Sequence, residues 1–185
     1  MMKKSEPWYI HAALYLVIAI LAYILIRVAI VDPTDFMEKD KYYKTESHLR
    51  MSNIRQAQIM YEKKNGRYTD DLSALINFVK TDSAVLAAIN GVDSLTERST
   101  NPFEKLTVGS FVPESLMYSP KSHTPFILKI DRTTKIDTVI NMKGKVIRVD
   151  TVKTIGSIYQ LESPDGYGQI GDLESPTKKN TASWE

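Results

Sequence analysis

The chain has 185 residues, of which 24 are lysine or arginine and 22 are aspartate or glutamate, so its formal net charge is only +2. This near balance gives no electrostatic reason to expect a nucleic acid or an acidic surface as a partner. The sequence has no cysteine, which excludes a disulfide framework, thiolate catalysis and cysteine-ligated metal sites. The part that follows the first 32 residues is, at about 150 residues, the size of one ordinary domain with its own core.

The apolar run at residues 8–31 predicts a transmembrane helix. Together with a short cytoplasmic tip, it forms a predicted N-terminal segment at residues 1–32. As a helix the run would span about 36 Å, against a hydrocarbon core of about 30 Å. Trp8 at its start and the deeper Tyr15 and Tyr23 are expected to anchor it in lipid and to offer a surface for lateral docking. The run exceeds the core of about 7 to 15 residues of a signal peptide, and no small-residue cleavage pattern follows it, so we interpret it as an uncleaved anchor.

Two ionisable residues, His11 and Arg27, interrupt this run. Arg27 lies close enough to the end for its guanidinium to snorkel to the interface, and the alternative is an ion pair with an acidic residue on a partner helix. Lys3 and Lys4 precede the run and acidic residues follow it, which favours a cytoplasmic amino terminus. The predicted location is therefore the bacterial inner membrane, with the C-terminal domain in the periplasm.

Residues 33–66 predict an amphipathic helix that extends the anchor. Pro33 disfavours helical geometry at the residue before it, so a break is expected there, and Thr34 is a candidate cap for the next helix. Gly66 supplies a left-handed stop. Its apolar face contains Met51, Ile54 and Tyr61, with Gln58 between them, and is widened by Leu49, Ala57 and Met60. We expect this face to lie on a following sheet.

A possible partner surface is formed by Arg50 and Arg55 on this helix and by Trp184 in a polar tail at residues 175–185. The helix charges are interpreted as a solvated surface, with a docking patch for a partner protein as the alternative. Trp184 is a large aromatic side chain to leave in water, so we expect it to dock either on the domain or on a partner.

Residues 67–174 predict an α+β globular domain with a small antiparallel sheet. Thr69 is the expected cap of a short helix at residues 70–80. The pattern at residues 84–89 is compatible with a helix or a strand, and a helix is preferred. An irregular connection should follow at residues 91–113. Short strands are predicted at residues 116–118, 126–130, 138–141, 145–152, 157–161 and 167–172, with turns at 142–144 and 163–166.

No catalytic motif, cofactor signature or metal site is predicted. The three histidines, His11, His48 and His123, have no metal-ligand spacing. The sequence contains no nucleophile elbow, phosphate-binding loop, dinucleotide fingerprint or zinc signature. We therefore expect a protein that is not an enzyme.

Three blocks that follow the hydrophobic run resemble the type IV pilin and pseudopilin class. They are Asn53-Ile54-Arg55-Gln56-Ala57-Gln58-Ile59-Met60-Tyr61, Asn65-Gly66-Arg67-Tyr68-Thr69 and Asp71-Leu72-Ser73-Ala74-Leu75. The chain also resembles an uncharacterised family of single-pass membrane-anchored bacterial proteins with an Ile-Arg-x-Ala-Gln-x-x-Tyr block, a Phe78-Val79-Lys80-Thr81-Asp82-Ser83 continuation and a Trp184-Glu185 ending. The resemblance implies a pilin-like fold in which a long helix packs on a small sheet.

The sequence departs from the pilin pattern at the processing site. It has no glycine before Gly66 and lacks the glutamate five residues into a mature pilin helix, so the resemblance implies a stationary subunit more readily than a polymerising one. We expect a structural or assembly subunit of a secretion, motility or other envelope complex, with the lipid bilayer and other membrane proteins as partners. Oligomerisation of the chain itself stays open. The alternative is a membrane-tethered periplasmic binding or sensor module.

Overall fold

The computed structural model of the chain describes residues 7–142 and 144–185. Lys3, Lys4 and the central residue of the turn predicted at 142–144 lie outside these ranges. The elements are the helices α1 (Trp8–Ile26), α2 (Asp32–Asn65), α3 (Leu72–Thr81) and α4 (Ser83–Asn90), then the strands β1 (Ile127–Ile140), β2 (Val146–Glu162) and β3 (Gln169–Ile170). A long apolar N-terminal helix followed by a small antiparallel sheet confirms the predicted α+β class.

The chain forms two compact units, Met1–Tyr43 and Lys44–Glu185, which divide within α2. In the first unit, α1 contains no Asp, Glu, Lys or Arg, and none of its residues is buried. Its apolar side chains therefore have no protein core to contact. By length and composition, this helix is suited to cross a membrane.

The break expected at Pro33 is wrong, because the helix continues through this residue as part of α2. A π-helical turn, Arg27–Val31, directly precedes α2 instead. A proline inside a helix lacks one N–H and its ring crowds a carbonyl group in the preceding turn, and the wider π-helical turn lies where that crowding occurs. Thr34 does not cap a new helix: its hydroxyl lies 3.0 Å from the Ile30 oxygen and 2.8 Å from the Val31 oxygen, within donating distance of both.

The core of the second unit joins α2, α3, α4 and the sheet. Met51, Ile54 and Ala57 of α2 are completely buried, which confirms the centre of the predicted apolar face. The sheet contributes Tyr159, Leu161 and Ile170, while loops contribute aromatic residues such as Phe103 and Phe126. Burial of this apolar surface is the main source of the domain's stability.

The two short helices were predicted correctly, but the cap of the first was not. Asp71, rather than Thr69, is the N-cap of α3, because its Oδ1 accepts hydrogen bonds from the amides of Ser73 (2.8 Å) and Ala74 (3.2 Å). The Thr69 hydroxyl instead accepts from the Asp71 amide at 3.1 Å. A carboxylate at the N-cap also interacts favourably with the helix dipole.

The sheet has the order β1-β2-β3 and is antiparallel throughout. Four of the predicted short strands are merged into two long ones, and the strand predicted at 116–118 is wrong. In that place lies the short 3-10 helix Pro113–Leu116, followed by a single bridge between Tyr118 and Pro125. The merged strands continue through the polar residues that follow Asp131, because residues 132–134 are exposed and do not need apolar side chains to fill a core.

Gly156 marks the point at which β2 leaves the core. It has a φ of +73°, and its carbonyl oxygen accepts a hydrogen bond of 2.7 Å from the Tyr68 amide. A Cβ atom at this position would lie 2.7 Å from the Tyr68 oxygen. Both the backbone conformation and the close approach therefore require glycine.

Gly156→Ala should lower the free energy of unfolding by about 1–3 kcal/mol more than Gly166→Ala. Gly166 is the matched control, since its φ is +74° but no atom lies within 4 Å of a Cβ placed there. Urea unfolding of the full chain in detergent, followed by near-ultraviolet circular dichroism, measures the difference. Equal losses in the two variants would show that the contact with Tyr68 contributes nothing.

Candidate functional site

The inward face of α2 contains polar residues as well as apolar ones. The buried polar residues are Glu46, Ser47, Ser52, Asn53 and Gln58. Buried polar groups are costly unless they are hydrogen-bonded. The partners of these side chains therefore define what this helix does within the domain.

Two of these residues are amides that each bind one loop residue through both its backbone groups. Asn53 donates Nδ2–H to the Glu104 oxygen at 2.9 Å and accepts from the Glu104 amide at 2.7 Å. Gln58 donates Nε2–H to the Thr69 oxygen at 2.6 Å and accepts from the Thr69 amide at 3.2 Å. Sequence reasoning missed this role, although both amides lie between residues of the apolar face, which is the signal that could have indicated burial.

Glu46 is a buried carboxylate with two partners. Its Oε2 accepts from the Thr107 amide at 2.9 Å, and its Oε1 accepts from Arg50 Nε at 3.0 Å. Burial opposes the charged form, but the hydrogen bonds from Thr107 and Arg50 outweigh it, so the pKa of Glu46 lies below its usual value. The ionised carboxylate thus fastens a loop to α2.

The predicted partner surface is engaged inside the domain. Arg50 donates to the Tyr118 oxygen at 2.7 Å, and Arg55 contacts the Glu185 carboxylate at 2.8 Å. Trp184 stacks on His48 with ring centroids 3.9 Å apart and planes only 4° apart. Of the two expectations for Trp184, docking on the domain is therefore the one observed. These contacts bring Arg55 and Trp184 together at the C-terminal end of the chain, whereas Arg50 lies with Glu46.

The predicted membrane residues lie in the first unit and are exposed. Trp8, Tyr15 and Tyr23 are 80%, 70% and 67% exposed, respectively. Arg27 begins the π-helical turn, and its Nε lies 3.5 Å from Asp32 Oδ1. Such a pair between half-exposed side chains contributes little to stability, so the guanidinium is available for other interactions.

A groove within the second unit has a volume of about 510 Å³ and lies beside Met60, Phe78 and Val85. Its size falls in the range of about 300–1,000 Å³ typical of ligand pockets. Two of its charged groups are already paired, since Lys64 pairs with Asp82 and Asp82 caps α4. In the described parts of the chain, no cluster of three or more His, Asp or Glu residues is arranged to hold a metal ion.

Comparisons with protein-family models, with curated proteins and with solved structures found no match. The resemblance to pilins and pseudopilins consequently stays a prediction. The features of the chain that bear on its function are the exposed apolar helix α1 and the internal bonding of the domain.

Glu46→Gln should lower the free energy of unfolding at pH 7 by about 1–2 kcal/mol, because a neutral amide binds Thr107 and Arg50 less strongly. A carboxyl whose pKa is lowered in the folded state stabilises the protein above its unfolded pKa of about 4.3, and this contribution disappears as the pH falls through the folded pKa. The variant should therefore lose less stability than the wild type between about pH 5 and pH 3.

Urea unfolding at several pH values in this window measures the effect, with Glu174→Gln as a control at an exposed carboxylate. Asp82 and Asp131 also have lowered pKa values, so the variant should keep part of the acid sensitivity. A pH dependence identical to that of the wild type would contradict the assigned role of Glu46.

Proposed function

We propose that the chain is a non-catalytic, single-pass membrane subunit that presents a pilin-like domain within a larger envelope complex. The amino terminus lies in the cytoplasm and the domain in the periplasm of a bacterium. The complex is a secretion, motility or other envelope machinery. The observation that carries this proposal is α1, an apolar helix without a single buried residue.

The character of α1 supports the anchor. A helix that is apolar on all sides is stable either in a protein core or in lipid. Within its own unit α1 has no core around it. Its backbone groups are satisfied within the helix, as a bilayer requires. Lipid is therefore the environment that suits this helix.

The bonding of the second unit supports a structural role. The polar side chains on the inner face of α2 bind loop backbone, as Asn53, Gln58 and Glu46 do. These groups stabilise the domain and are not available for a reacting substrate. A long helix with its buried face on a small sheet is also the arrangement expected of a pilin-like domain.

A membrane-tethered binding or sensor module is the second candidate. The groove of about 510 Å³ beside Phe78 favours it, because the groove is large enough for a small ligand. The pairing of Lys64 with Asp82 in its wall weighs against it, since convergent polar groups would have to be free to orient a ligand.

The anchor is tested by a double substitution, Ile18→Arg with Leu21→Arg, which should cost about 5–7 kcal/mol of insertion free energy. The wild type should stay in the membrane fraction after carbonate extraction, and the variant should be released. Leu95→Arg with Val108→Arg, at two exposed apolar positions of the second unit, is the matched control and should stay in the membrane.

Alkaline phosphatase fused to the C terminus should be active. Release of the wild type would contradict the anchor, and an inactive phosphatase together with a fluorescent cytoplasmic reporter would contradict the orientation.

Arg27 is the residue expected to matter for lateral docking. Arg27→Leu should reduce the recovery of partner proteins in a mild-detergent pull-down about tenfold, whereas Arg27→Lys keeps the charge and should retain them. Asp32→Asn removes the neighbouring carboxylate and separates an effect of the intrachain pair from an effect on partners. Full recovery with Arg27→Leu would show that the guanidinium only snorkels to the interface.

A further inference from the structure

Residues 132–154 form a two-stranded arm beyond the core. Its strands pair from Arg132 with Ile155 to Ile140 with Val146, with a register shift near the tip. Over nine residues a strand extends roughly 30 Å. In the described part of the chain, β3 pairs only with Leu161 and Glu162 of β2, so no third strand covers the arm. A two-stranded ribbon of this kind is only marginally stable in water by itself.

The tip of the arm exposes aliphatic side chains. Met142 is fully exposed, and Val146, Ile147 and Val149 are 51%, 66% and 55% exposed. Ile147 and Val149 alternate with Arg148 along β2, so they share one face of the ribbon. Val149 lies opposite Thr138, and Arg148 lies opposite Val139. The face that carries Ile147, Val149 and Thr138 therefore has no charged side chain at these three positions. Arg148 lies on the opposite face of the ribbon, together with Val139.

The arm also concentrates positive charge. Residues 132–154 contain six basic and two acidic residues. The remainder of the second unit, Lys44–Glu185, contains 13 basic and 15 acidic residues. Three of the basic residues, Lys143, Lys145 and Arg148, lie within six positions of one another in the sequence. The arm is therefore basic on a domain that is otherwise slightly acidic.

We propose that the tip of this arm docks on the surface of an anionic lipid bilayer. The inference rests on the proposed function, because it takes the membrane as the place where the chain is anchored. Aliphatic side chains can enter the boundary between headgroups and acyl chains while neighbouring lysine and arginine residues bind anionic headgroups. Anchoring by α1 keeps the same chain at the bilayer, so even a weak affinity is sufficient.

Other occupants fit the arm less well. The arm contains no Phe, Trp or Tyr, whereas the energetic centres of protein interfaces are enriched in Trp and Tyr as well as Arg. Pairing between the arms of two copies would bring two basic segments together and be opposed by repulsion. An anionic bilayer complements the charge of the arm and requires no aromatic anchor.

The absence of native cysteine makes the test direct. Met142→Cys in the full chain is labelled with an environment-sensitive fluorophore, and the chain is placed in nanodiscs of phosphatidylcholine alone or with about 30% phosphatidylglycerol. Leu95→Cys is the matched control, because Leu95 is an equally exposed apolar side chain on a different loop. Quenching by lipids that carry a nitroxide near the headgroup reports contact with the bilayer.

We expect lipid quenching and a blue-shifted emission at position 142 in the anionic discs and neither at position 95. The combined variant Lys143→Gln, Lys145→Gln and Arg148→Gln should weaken docking on the order of 100-fold, and high salt should act in the same direction. These three substitutions change only the tip, so folding of the domain should persist.

The outcomes that overturn the proposal differ from one another. Failure of the chain to enter the discs overturns the anchor and the docking together. Incorporation with no more lipid quenching at 142 than at 95 overturns the docking alone. Protection from aqueous iodide without lipid quenching, found only in discs with two copies, would assign the arm to a second copy of the chain and also overturn the proposal.

Discussion

Two buried amide side chains on α2 hold the irregular parts of the domain to its core. Asn53 and Gln58 each donate to the carbonyl and accept from the amide of a single loop residue, Glu104 and Thr69 respectively. Each amide thus presents the donor and acceptor that a neighbouring β-strand would present. Because these groups are buried, loss of one partner would leave the other unsatisfied at a cost of about 1–3 kcal/mol.

The long connection between α4 and β1 shows why this bonding matters. Loops of more than about 12–15 residues without secondary structure are uncommon in compact domains. In residues 91–113 the regular bonding before the 3-10 helix is a single bridge, from Val92 to Ser99. Asn53 and Glu46 supply what a sheet would otherwise provide, and Phe103 adds a buried aromatic ring. The helix α2 therefore contributes apolar side chains to the core and polar side chains that hydrogen-bond to the backbone of this loop.

The sequence predicts those features whose causes are local. The helix α3 follows from apolar residues at helical spacing, whereas its cap is Asp71 and not the predicted Thr69, a difference that only the geometry decides. The hydrogen-bond partners of the buried amides on α2 were not predictable, because the partner of Asn53 lies 51 positions away in the chain. The merging of strands around Asp131 was missed for a related reason. Polar residues there indicate a loop only if each strand is assumed to pack against a core. The described residues that follow Asp131 are exposed, so polar side chains are compatible with a strand.

The charged residues of the chain are distributed unevenly, although their total is nearly balanced. The net charge of +2 gave no electrostatic reason to expect a nucleic acid or an acidic surface as a partner. That total combines a basic arm with a domain body in which acidic residues slightly outnumber basic ones. Electrostatic attraction is screened beyond about 8–10 Å at physiological salt, so a partner at the tip responds to the charges near the tip and not to the total. The fold, by extending residues 132–154 away from the core, converts a balanced composition into a locally positive surface.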